Sequence, residues 1–294
     1  MTLMAGTDSW TNTDLVLDYC AKQLVAGRLT IVLGAGASLG FDLPDWDELM
    51  SRAFKIVGKD IPDGLSVENQ AEYLQNTVFS GDFSEFARVI RESLYQKGIV
   101  GAEELSSMPL LNAIGALVMA STRGTVDRVI TFNFDDLLEV YLSYYGYTVA
   151  SIADLPSWAN NSDVTVLHVH GLLPSDLDKP ASKELILTQE SFDKRVGRIE
   201  QLWTRKVTEI FEESFCLFIG LSGNDKNLTS LLSNTMHPTT DKYWGMRITA
   251  NASDPLNSHW ETRKVHNLII PDWGMLPSTL FQIVQRAAKM RSSE

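Results

Sequence analysis

The stretch Leu29-Thr30-Ile31-Val32-Leu33-Gly34-Ala35-Gly36-Ala37-Ser38-Leu39-Gly40-Phe41-Asp42-Leu43-Pro44-Asp45-Trp46 decides how the chain reads. Its apolar, β-branched opening, Leu29 to Leu33, has the length of a buried strand. Gly34, Gly36 and Gly40 follow at once. A strand that enters such a turn and then a helix brings backbone N–H groups and a helix N-terminus up to a pyrophosphate. The third glycine falls one position late for G-x-G-x-x-G, so the turn points to a dinucleotide more than to a dehydrogenase. A tight strand-to-helix turn without a ligand is the other reading.

Composition narrows the classes. At 294 residues the chain can bury a sizeable core. Its 44% hydrophobic and 21% charged content is that of a globular protein. A formal charge of −12 with no basic stripe speaks against a sequence-independent nucleic-acid surface. Two distant cysteines, Cys20 and Cys216, with no C-x-x-C, exclude a four-cysteine zinc ribbon and fit a reducing compartment. No leader pattern opens the sequence, and its longest mostly apolar stretch, Pro109 to Ala120, is short of the ~20 residues that span a bilayer. The expectation is a soluble, cytoplasmic protein without membrane contact.

Outward from the glycine turn, residues 12–26 read as an amphipathic helix, with Val16, Tyr19, Cys20 and Leu24 on one face and Gly27 as its cap. Four helical stretches then follow one another at 45–57, 66–79, 82–97 and 108–122 with no strand between them. Strands are expected at 126–132, 164–169, 185–187, 215–219 and 243–249, and helices at 135–145, 198–213, 225–235 and 274–290. This alternation predicts an α/β fold, a Rossmann-like doubly wound parallel sheet. The chain reads as a single domain over 1–294, with 45–124 as an inserted helical subdomain that covers the ligand mouth or meets a partner.

Ligands in such folds sit at strand C-termini, and four strand ends carry chemistry. After the first, Ser38 is suited either to a phosphate oxygen or to capping the next helix, and Asp45 with Glu48 has the spacing of a capping box compatible with a ligand role. The second ends in Thr131-Phe132-Asn133-Phe134-Asp135-Asp136, where Asn133 suits a ribose hydroxyl or a water and Asp136 with Glu139 spells another capping box. The third ends in His168-Val169-His170-Gly171. His170 sits at the edge and can take a proton near neutral pH, Gly171 admits a close neighbour, and His168 reads as a satisfied core histidine. The fourth, Gly220-Leu221-Ser222-Gly223-Asn224-Asp225, either holds the far end of a dinucleotide or uses Asp225 as a helix cap.

Taken in this order, the strand ends resemble the sirtuin-like family. The likeness rests on Gly34-Ala35-Gly36-Ala37-Ser38 with Pro44-Asp45, on Thr131, Asn133 and Asp135, on His170-Gly171, and on Gly220 and Ser222. It implies Asn133 and His170 as the catalytic pair, and NAD held by Gly34, Ala35, Gly36, Ser38, Asp45, Trp46, Asp135, Gly220, Ser222 and Asp225, with no metal. Deacylases of the family carry a zinc ribbon, a glutamine where Phe132 stands and Phe-Arg where Trp46-Asp47 stands. The Leu43-Pro44-x-Trp46 step is closer to the bacterial sirtuin-like NADases of antiphage defence. That resemblance implies an NAD+ glycohydrolase that depletes cellular NAD, a homo-oligomer and a HerA-type ATPase partner. A zinc-free deacylase and a non-catalytic NAD or ADP-ribose sensor would use the same residues.

Overall fold

The computed structural model describes residues 10–38, 41, 43–96, 101–119, 126–157, 161–196, 200–221, 226–235 and 243–292. Its strands are β1 (Leu29–Leu33), β2 (Arg128–Thr131), β3 (Val149–Ile152), β4 (Val164–His168), β5 (Phe215–Ile219), β6 (Gly245–Thr249) and β7 (Val265–Ile269). They form one sheet in the order β3-β4-β2-β1-β5-β6-β7, and every described pairing is parallel. All five residues of β1 and of β5 are buried, as expected where helices cover both faces of a parallel sheet. The order reverses at β1, which pairs with β2 on one side and β5 on the other, so the crevice beyond their C-terminal ends is the topological switch point.

The helices are α1 (Thr13–Val25), α2 (Trp46–Val57), α3 (Val67–Tyr73), α4 (Phe83–Leu94), α5 (Ala102–Ser107), α6 (Pro109–Met119), α7 (Leu137–Tyr144), α8 (Gln189–Arg195), α9 (Leu202–Glu213), α10 (Lys226–Asn234), α11 (Asn257–Thr262) and α12 (Leu276–Arg291). One face of the sheet packs Ile31, Val129 and Leu217 against α1, α6, α7 and α12. The opposite face packs Val32, Ile130 and Phe218 against α9, α10 and Trp260 of α11. A third core lies beyond the strand ends, where Met50, Phe54, Phe86 and Ile90 of α2 and α4 bury Phe134, Leu173 and Leu187.

Within 45–124, α2 to α4 share a core over the strand ends, and Leu111, Ile114 and Leu117 of α6 belong to the core under the sheet. Several expectations are corrected. A π-helical turn, Leu74–Val78, continues α3, and α5 was not anticipated. The apolar run Leu185 to Leu187 is no sheet strand; it runs extended beside His170, with the Ile186 N–H donating to the His170 carbonyl at 2.8 Å. Strands β3 and β7 were missed. Among the described residues no helix is long and apolar enough to cross a membrane.

Candidate active site

The first and fourth strand ends meet as two interlocked turns. Gly34 N–H donates to the Ile219 carbonyl and Gly36 N–H to the Gly220 carbonyl, both at 3.0 Å. Ala37 N–H and Ser38 N–H turn back to Gly34 O and Ala35 O. A Cβ on Gly36 would lie 2.8 Å from Gly220 Cα, and one on Gly220 (φ +71°) would lie 2.3 Å from Ala37 N. Glycine is therefore required here for one turn to approach the other. Four of the amides expected to face a pyrophosphate, those of Gly34, Gly36, Ala37 and Ser38, donate within the chain in this structure.

At the end of β2, Asn133 reaches back across β1. Its Nδ2 donates to Gly34 O at 3.1 Å and to Ser38 Oγ at 3.0 Å, and Ser38 Oγ donates to Asp135 Oδ2 at 2.8 Å. Both amide hydrogens are thus used, and Oδ1 remains as the acceptor for a ligand hydroxyl or a water. Ser38 serves neither as a helix cap nor alone: it links Asn133 to Asp135. Burial pushes the Asp135 carboxyl up from 3.8 to about 6, against the bonds from Ser38 and from Leu137 N–H. These groups line a cavity of about 20 Å³ together with Thr131, Glu139 and apolar Leu111 and Ile114, room for about one water.

The capping box expected of Asp136 and Glu139 does not form. Asp136 Oδ1 accepts from Ser175 N–H at 2.9 Å and from Tyr95 Oη at 3.3 Å, and Glu139 is drawn inward to His168 and Ser151. Asp45 does cap α2, accepting from Glu48 N–H at 2.9 Å, but Glu48 pairs with Arg52 instead of closing the box. Tested as a core histidine, His168 is fully buried, with Nε2 2.5 Å from Glu139 Oε1 and Nδ1 3.3 Å from Asn133 O.

His170, two residues beyond β4, is 1% exposed and ringed by aromatics. Its ring centroid lies 5.1 Å from Phe132, 6.1 Å from Phe134 and 6.4 Å from Trp46, the last carried by the first turn of α2. Phe132 and Phe134 were not anticipated as site residues. Their alternation with Asn133 on a strand end, apolar where a polar turn is usual, was the available signal. Gly171 (φ +101°) admits a close neighbour, but that neighbour is the chain itself: a Cβ there would lie 2.4 Å from Glu184 O.

Two buried arginines brace the strand ends and were also missed. Arg195 of α8 stacks over Trp203 at 5.0 Å and donates to Ala153 O and, at 3.3 Å, to His168 O. Arg247 of β6 lies over Trp260 at 5.3 Å, donates to Leu221 O at 3.0 Å and pairs with Asp254 at 3.1 Å. Burial lowers the pKa of both, despite the acidic groups nearby. Cys20 and Cys216 are buried, with thiols pushed up to about 12, and serve packing. Ser222 and Asp225 lie outside the described residues. Among the described residues no group of three or more His, Cys, Asp or Glu gathers to hold a metal ion.

The seven-stranded parallel sheet, with Asn133, Asp135 and His170 at its C-terminal edge beside the switch point, makes this a Rossmann-like α/β protein. Residues 127–266 match the family model of the SIR2-like domain, a stretch that contains Asn133, Asp135, His170 and Gly220. The match supports a sirtuin-like family and implies NAD binding; Gly34 to Ser38, Asp45 and Trp46 lie outside it. A search of curated proteins found no match.

Proposed function

We propose that this chain is an NAD+ glycohydrolase, splitting the nicotinamide–ribose bond with water to give nicotinamide and ADP-ribose. The observation that carries this reading is the pairing of Asn133 and His170 at adjacent strand ends, each two residues past the register pair Thr131 and His168. Neighbouring strands lie ~4.8 Å apart. Trp46, Phe132 and Phe134 supply flat apolar surfaces around His170 that suit a nicotinamide ring.

Nicotinamide leaves as the C1′–N bond breaks, and its ring nitrogen takes the electron pair and becomes neutral, so no general acid is needed. The ribose carbon left electron-poor takes a water oxygen, and the water's proton passes to a base. Asn133 Oδ1 orients the ribose hydroxyl or that water. His170 acts as the base, a role typically worth ~10²–10⁴-fold. Asp135, once ionised, favours the developing positive charge and holds Asn133 through Ser38. The burial of His170 under Trp46 supports a chain restrained until α2 to α4 shift. That helical cap is the surface we assign to a homo-oligomer or a HerA-type ATPase partner in an antiphage NAD-depleting effector.

The test is nicotinamide release from NAD by wild type, Asn133→Ala and His170→Ala, with and without a co-expressed ATPase. The expected result is release by wild type, lost in both variants, with NAD binding kept in His170→Ala. Bound but unconsumed NAD would make the chain a sensor, and release only with an acylated peptide would make it a deacylase.

A further inference from the structure

Beneath Asn133 lies a buried pair of ionisable side chains that the reaction above does not use. His168 ends β4 opposite Thr131, with no exposure to solvent. The Asn133 carbonyl oxygen only accepts, so the Nδ1 atom 3.3 Å from it carries a hydrogen. Nε2 faces the Glu139 carboxylate at 2.5 Å, where it too carries a hydrogen when that carboxylate is charged. Glu139 also accepts from Ser151 Oγ of β3 at 3.1 Å. The other ionisable neighbours are Asp135 between β2 and α7, then Asp136 and Tyr95, while Arg195 of α8 donates to the His168 carbonyl. Burial opposes charge on His168, yet Glu139, helped by the Asn133 carbonyl and Asp135, outweighs it and raises the pKa.

Asn133 is consequently held from two directions. Gly34 and Ser38 fix its amide, and His168 fixes its peptide carbonyl. A displacement of about 1 Å at a reacting group costs on the order of 10²-fold in rate. We propose that His168 and Glu139 are a positioning pair, an imidazolium–carboxylate couple that holds the Asn133 peptide so that its Oδ1 meets the ribose or the attacking water. This rests on the hydrolase reading above.

The two amide replacements of His168 separate the role from simple filling of space. In His168→Asn the side-chain amide nitrogen falls near the place of Nδ1 and keeps the bond to Asn133. In His168→Gln it falls near the place of Nε2 and keeps only the Glu139 side. With kcat and KM for NAD and the Tm measured for each, the expected result is a kcat loss on the order of 10²-fold in His168→Gln, KM near wild type, and recovery of most of that loss in His168→Asn. Imidazole ¹⁵N NMR of wild type is expected to show both His168 nitrogens protonated at neutral pH. Wild-type protein that releases no nicotinamide overturns the hydrolase reading and the catalytic consequence drawn from it. Wild-type turnover with both variants falling together, in step with their Tm losses, overturns the positioning role alone. A His168 ring with a single hydrogen overturns the couple itself, whatever the turnover.

Discussion

Replacing Asp135 by Asn should make the protein more stable at neutral pH and less active. Its carboxyl is lifted from 3.8 to about 6 on folding, so its ionised form is disfavoured in the native state by about 3 kcal/mol at pH 7. The native state binds this proton more tightly than the unfolded chain does. Wild-type stability therefore falls as pH rises from near 3.8 through about 6, and the loss is complete above that. The amide keeps the bond from Leu137 N–H, but the Ser38 hydroxyl loses its acceptor, at about 1 kcal/mol. Asp135 retains partial exposure, which reduces the gain further and leaves about 1–2 kcal/mol at pH 7, a few degrees in Tm. Near pH 5 the gain should shrink toward zero. Urea unfolding of both proteins at the two pH values measures this. An Asp135→Asn variant destabilised equally at both would refute the reasoning, because it would mean that the carboxylate is welcome where it lies.

Three further outcomes follow from the packing. Gly220→Ala places a methyl against the Ala37 and Gly36 backbone at a positive φ and should cost more than ~2 kcal/mol; an unchanged urea midpoint would contradict it. Arg247→Met should destabilise by somewhat less than the ~3–5 kcal/mol of a fully buried pair, since Asp254 keeps some solvent, and Arg247→Met with Asp254→Asn should recover part of that. Thermal unfolding of the single and double variants decides it. Gly115→Ala drives a methyl to 2.2 Å from Tyr141 Cε1 between α6 and α7, and calorimetry should show a loss of about 1–3 kcal/mol.

What was legible in the sequence was whatever local pattern alone decides. The apolar runs at Leu29 and Phe215 became β1 and β5 because both faces of a central parallel strand are apolar. β3 and β7 escaped because they are the sheet's edges: Val149 to Ser151 stay partly or fully exposed, and β7 carries His266 and Asn267 mid-strand. Leu185 to Leu187 has a strand's composition, but its burial comes from the α2 to α4 core and from the sheet face that packs α9 and α10, not from a ladder. In the site, Asn133 and His170 stood out because strand ends in this architecture face ligands. The two capping boxes misled because spacing cannot show which partner wins: His168 outcompetes the helix N-terminus for Glu139, and Arg52 outcompetes it for Glu48. The glycines were legible as a turn, but not the packing reason for them, since the neighbour that demands them lies some 180 residues away at Gly220.

The interlocked turns also set a timetable for the nascent chain. β1 pairs with β5 in a register that joins Leu29 to Phe215. At ~5–20 residues per second, a ribosome delivers β5 roughly 10–40 s after β1. Until then, Gly34 and Gly36 lack the carbonyls of Ile219 and Gly220 that lock their turn, although Asn133 and His170 have already been synthesised. A strand contact closed over so long a loop forms late. Asn133 and His170 are thus on the ribosome's exit side before the seam that braces their strand ends can close, and an unfinished polypeptide holds these two residues without the frame that positions them.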